Sequence, residues 1–112
     1  MKRAEYIPAN FRLSQRAIAK INELTKLSSD AVARSMVPAL SWHEKYEEAK
    51  RETVVFGPGF GWYYLDEVPT NLLQQVDGTT LIFAVTSKTA VHFKDKVLDY
   101  LEDKSFFLAS ER

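Results

Sequence analysis

The sequence predicts an α+β domain: a mainly antiparallel or mixed β-sheet of six or seven short strands, an N-terminal amphipathic helix packed on it, and a second short helix. Three observations carry this expectation. Apolar residues recur at three and four positions between Ser14 and Leu27, the spacing of one helix face. Beyond Pro38, β-branched and aromatic residues come in short runs broken by Gly, Pro, Asp and Asn. The pair Asp77-Gly78 stands between two such runs, where a tight hairpin wants positive φ at both central residues.

In chain order, Pro8 disfavours helix at Ile7, so the chain opens as an extended arm. Phe11, Arg12 and Leu13 then alternate like a short strand. Ser14 reads as an N-cap, and a helix follows to about Leu27. Its buried stripe is Ala17, Ile18, Ile21, Leu24 and Leu27, with Arg16, Lys20 and Glu23 on the solvated side. Ser28-Ser29-Asp30 is expected to end it, and Pro38 argues against a long helix thereafter. Residues 39–43 read as a strand, with Leu40 and Trp42 expected on opposite faces. Residues 44–52 are almost all charged and read as a solvated loop or single helical turn, with Glu47 and Arg51 placed to pair.

The stretch from Val54 to Leu65 holds three of the four glycines and a dense aromatic run. Pro58-Gly59 predicts a type II corner with positive φ at Gly59, joining a strand ending at Phe56 to one beginning near Trp62. In the second strand Phe60, Trp62 and Tyr64 share one face, with Tyr63 and Leu65 on the other. The glycine spacing is GxGxG, and a strand pattern follows it. A phosphate loop needs GxGxxG opening a helix.

Residues 66–71 read as a loop, 72–76 as a short strand, and 79–85 as an interior strand. Thr86-Ser87 caps a short helix over residues 88–94. Residues 96–101 and 105–109 form the last two strands, the final one at a sheet edge.

The 112 residues are expected to form one domain, with hydrophobic content sufficient for a core. Cysteine is absent, which excludes disulfides, thiolate metal sites and thiol nucleophiles within the chain. Basic and acidic residues balance at 15 each, so nucleic acid is not expected as partner. No apolar run approaches the ~20 residues of a membrane span, so no membrane is expected and a cytoplasmic location is the default. His43 and His92 lie far apart without HxH or HExxH spacing, so no metal and no cofactor is expected. No serine sits in a nucleophile elbow. The candidate binding residues are Trp42, His43, Phe60, Trp62 and Tyr64. Core packing is the plain reading of Trp42 and Trp62, and an aromatic groove for a peptide or ligand is the functional one; His43 reads as a surface residue or as one lining a groove.

Phe11-Arg12-Leu13-Ser14-Gln15-Arg16-Ala17-Ile18, continuing to Leu24, resembles the first strand and helix of the HesB-like domain of A-type iron–sulfur carrier proteins. Asp77-Gly78, the apolar strand to Val85, Ser87 with its short helix, Leu98-Asp99-Tyr100 and Phe106-Phe107-Leu108 follow that family's order. The family's ligands are cysteines, and none is present here, so no ligand role carries over to any position. The resemblance implies a HesB-like fold without cluster ligands, or with ligands supplied by a partner.

The leading functional expectation is therefore a non-enzymatic binding or accessory protein. One alternative is a small-ligand-binding protein or enzyme using the region of Trp42, His43 and Trp62. Another is an inhibitor or immunity-type protein acting through its acidic C-terminal surface. A homodimer or a complex with another protein is expected, because a small aromatic-rich domain leaves large side chains uncovered.

Overall fold

The computed structural model describes residues 6–110. The elements are β1 (Arg12–Leu13), α1 (Gln15–Val32), β2 (Met36–Glu47), β3 (Glu52–Tyr64), β4 (Leu73–Val76), β5 (Thr79–Phe83), α2 (Ser87–Ala90), β6 (Lys96–Leu101) and β7 (Ser105–Ser110). The fold is α+β, and the seven strands divide between two mixed sheets rather than joining in one. The first has the order β1-β6-β7, with β1 parallel to β6. The second has the order β3-β2-β5-β4, with β2 parallel to β5 and the other pairs antiparallel. Periodicity tells which face of a strand is apolar but not which strand is its neighbour.

The core lies where the two sheets, α1 and the α2 segment meet. Ile21, Leu40, Leu81, Phe93 and Leu98 are fully buried there, and Phe11 packs its ring 4.9 Å from Phe83 and 5.6 Å from Phe93. Ala17 and Ile21 are the buried positions of α1, as the stripe predicts. Leu27 is not: it is 59% exposed, because α1 runs past the sheet that covers its first half.

The helix also ends later than expected. Ser28 and Ser29 stay inside it, and the chain leaves through Ala33 in the left-handed region (φ 54°), whose N–H donates to the Ser29 carbonyl. Ser29 then serves the exit twice, since its hydroxyl accepts from Met36 N at 3.2 Å. Polar residues that favour a break act here as the partners of the helix terminus.

The start of α1 is fastened to β6. Ser14 caps the helix by accepting from Ala17 N at 3.1 Å, and its own N–H donates to the Leu98 carbonyl. The Asp99 carboxylate accepts from the Ser14 hydroxyl at 2.6 Å, from Tyr100 N at 2.8 Å, and from the Arg16 guanidinium, with which it forms an ion pair. Asp77, in the hairpin turn between β4 and β5, clamps β1 in the same manner through Arg12 and Leu13 N. Arg16 thus works in a joint. Lys20, also assigned to the solvated side, lies 5.3 Å above the Tyr100 ring.

The hairpin at Asp77-Gly78 forms as predicted, with φ of 49° and 83° at its two residues. The corner at Pro58-Gly59 does not. Residues 52–64 are one continuous strand, and the positive φ (94°) belongs to Gly57. A β-bulge replaces the corner: the β2–β3 register jumps from His43 opposite Gly57 to Glu44 opposite Val55, leaving Phe56 as the extra residue. Pro58 is tolerated because β3 is an edge strand.

The charged stretch 44–52 is likewise not a loop. β2 continues to Glu47, β3 begins at Glu52, and only Glu48 to Arg51 turn, with Arg51 N donating to the Glu48 carbonyl at 3.2 Å. Glu47 faces Lys50 at 3.7 Å instead of Arg51. The loop expected over residues 66–71 contains two 3-10 turns, Leu65–Glu67 and Thr70–Leu72, which take in Leu65 and Leu72, both expected in strands.

Candidate functional site

The β2–β3 register decides where the five candidate residues go. Met36 lies opposite Tyr64, Pro38 opposite Trp62, Leu40 opposite Phe60 and Trp42 opposite Pro58. Directly opposed residues share a face, so Trp42, Phe60, Trp62 and Tyr64 stand together on the inner face. His43 lies opposite Gly57 and belongs to the outer face.

On the inner face each aromatic meets a different neighbour. Trp42 stacks on His92 at 4.2 Å with an interplanar angle of 11°, and presents its edge to Phe93. Phe60 packs against Phe106 of β7 at 4.8 Å. The Trp62 indole N–H donates to Thr25 Oγ1 of α1 at 2.9 Å. The Tyr64 ring carries the Arg34 guanidinium 3.7 Å above it, a cation–π contact. Trp42 and Trp62 are thus spread along the inner face against separate partners, with Phe60 between them. His43, on the outer face, shares a 2.9 Å hydrogen bond with the Ser41 hydroxyl and lies against Gly59.

Two other features stand out from the packing. The first is the end of the β2–β3 hairpin. β2 pairs with β5 only at Ala39 and Leu40, so the rest of the hairpin runs on as a two-stranded ribbon. The ribbon exposes three large apolar side chains: Tyr46 (57%), Val55 (55%) and Phe56 (68%). The bulge explains Phe56. With no residue opposite it and Gly57 in a conformation that suits only glycine, the side chain is turned away from the ladder. Beside it, the outer edge of β3 has no neighbouring strand in its sheet among the described residues. Around the tip, residues 44–52 carry four carboxylates and three cations.

The second feature is a cavity of about 440 Å³ on the outer side of the same sheet. Val37, Ala39, Leu72 and Ile82 form a small buried cluster there, with Val68 and Leu73 packed on it. The cavity opens between this cluster and the N-terminal arm. Gln74 holds that arm by accepting from Ala9 N and donating to the Ile7 carbonyl, each at 2.7 Å. Arg34 bonds Asp66 at 2.6 Å and approaches Glu67 at 3.7 Å, which ties the first 3-10 turn to the end of α1.

Neither feature is visible in residue periodicity alone. The unbroken run Val54-Val55-Phe56 next to Tyr46 was the available signal for the ribbon, but the intervening charges outweighed it. The cavity draws on residues from Tyr6 to Ala84, a juxtaposition only the fold creates.

No group of three or more His, Asp or Glu side chains converges as a cation site among the described residues. No helix among them is long and apolar enough to cross a membrane. No protein-family model matches the sequence, and no curated protein matches it.

Proposed function

We propose that this chain is a non-enzymatic accessory module, a HesB-like domain without cluster ligands, that binds another protein chain along the β2–β3 ribbon. The observation that carries the reading is Phe56, exposed at a bulge beside an unpaired strand edge, with Val55 and Tyr46 near it. An edge strand offers a row of free backbone N–H and C=O groups, and apolar side chains beside that row supply the burial that backbone pairing alone lacks. The mixed charges at the tip suit a partner segment of low net charge, which includes a second copy of this chain.

The HesB-like part of the reading is supported by the segments that carry the resemblance. Each forms the kind of element expected of it: β1 and α1, the β4–β5 hairpin, α2, β6 and β7. The reading places no cluster and no catalytic residue in the chain.

The test compares wild type with Phe56→Asp, whose substitution lies on an exposed position and should leave the fold intact. Light scattering at micromolar concentration reports self-association, and affinity capture with mass spectrometry reports other partners. The proposal expects a mass or a captured protein that the substitution removes. Identical masses and identical captured sets for the two proteins would refute it.

A further inference from the structure

We propose that the cavity between the N-terminal arm, the 65–72 segment and the end of β5 binds a small, neutral, ring-bearing apolar molecule that donates one hydrogen bond to Glu67. The site is distinct from the ribbon and does not depend on it. Its volume of about 440 Å³ falls within the range of small-molecule sites, roughly 300–1,000 Å³.

The lining sets the ligand's chemistry. The floor is formed by Leu72 and Ile82, both buried, whose side chains offer only carbon. A solvent-filled space over such a floor wets apolar surface, and an apolar ligand relieves that. Polar groups stand at the rim. Tyr6 and Tyr63 are half-exposed there, and their rings offer faces on which a flat molecule stacks. Glu67 also lines the rim, and a carboxylate accepts several hydrogen bonds, more than its distant contact with Arg34 uses. It repels an anion, and a cation would have to carry its charge over the carbon floor, so a neutral donor is the group that fits.

A small molecule is favoured over a protein segment because the space is enclosed by three elements. Gln74 fixes the arm that forms one wall. The residues that precede Tyr6 bring Lys2, Arg3 and Glu5, charges that the carbon floor does not accommodate.

The probe is N-phenyl-1-naphthylamine, a neutral aromatic amine with a single N–H whose fluorescence rises in apolar surroundings. Titration into the full chain should give saturable one-to-one binding near micromolar affinity. Ala84→Trp is the blocking variant. Ala84 is an exposed cavity residue whose backbone N–H bonds the Leu40 carbonyl, so a larger side chain fills the space without breaking the strand contact. It should weaken binding at least tenfold with its melting transition intact. Val68→Trp, at another residue of the lining, repeats the block should Ala84→Trp fail to fold. Phe56→Asp should bind the probe as wild type does, separating this site from the ribbon. Non-saturable fluorescence, or affinity unchanged in the folded blocking variants, would overturn the proposal. Binding that emerges only when residues 1–5 are deleted would also overturn it, since the cavity would then belong to the chain's own N-terminus.

Discussion

Asp99→Asn removes the charge that fastens α1 to β6, and its cost follows from the geometry. The Asp99 side chain is 13% exposed. The Arg16 guanidinium bonded to it lowers its pKa most, burial opposes this, and the Ser14 hydroxyl and Tyr100 N–H lower it further, from 3.8 to about 2. A carboxylate depressed in the folded state stabilises the fold above its unfolded pKa and loses that contribution as pH falls through the folded value. The window here runs from about pH 4 down to about pH 2. At about 1.4 kcal/mol per unit, the charge contributes about 2 kcal/mol at neutral pH. Urea denaturation of the variant at pH 7 should therefore show a loss of about 2 kcal/mol, or a melting temperature lower by about 8 °C. The deficit should shrink as pH falls below 4, because wild type then loses the same charge. Asp77, also depressed by its Arg12 hydrogen bonds, titrates in both proteins and cancels from the difference. A variant as stable as wild type at pH 7 would refute the role of the charge. An undiminished deficit at pH 2 would assign the cost to packing instead.

Gly57→Ala should destabilise by about 1–2 kcal/mol through backbone strain alone, since its φ is 94° and nothing stands within 4 Å of an added Cβ. Gly59→Val should act differently: its Cβ would stand 2.7 Å from His43 Cδ2, so the ring must swing away and the Ser41–His43 hydrogen bond is lost, which loss of that contact in NMR spectra would report at modest cost in stability. A larger loss of stability at Gly59 than at Gly57 would contradict the bulge. Ile21→Ala should cost about 2–5 kcal/mol in urea denaturation because Ile21 is fully buried, while Leu27→Ala on the exposed second half of α1 should cost under about 0.5 kcal/mol; similar losses at both would mean that α1 is packed along its whole length.

Much of the fold was legible because local chemistry and tertiary context agree in those places. Ser14 could cap only a helix that starts beside it, and Asp77-Gly78 supplies the φ values its turn requires. β6 was bounded as observed, and β7 to within its last residue, because turn residues lie between them. The failures cluster around β2 and β3. There, pairing across the hairpin outweighed the turn preference of Pro58-Gly59 and the loop-like composition of residues 44–52. An edge strand accepts Pro58, and a bulge accepts Gly57, so the same residues that suggest a corner serve a continuous strand. Phe60, Trp62 and Tyr64 share one face as expected, because strand alternation is local. Trp42, expected on the face away from Leu40, shares Leu40's face instead, since positions two apart in a strand point the same way. The separate partners of these aromatics, from Thr25 to Phe106, depend on long-range packing that alternation does not encode.

The central claim, that the ribbon is a protein-binding edge, is tested most directly by a photo-crosslinking amino acid placed at position 56, with the same residue at position 91 as control. Phe56 and Val91 are both largely exposed, but only Phe56 lies beside the free edge of β3. Irradiation of cells expressing each variant, followed by mass spectrometry, should give a discrete protein adduct at position 56, either a second copy or one defined partner, and none in common at position 91. Equal, diffuse labelling at the two positions would contradict the claim.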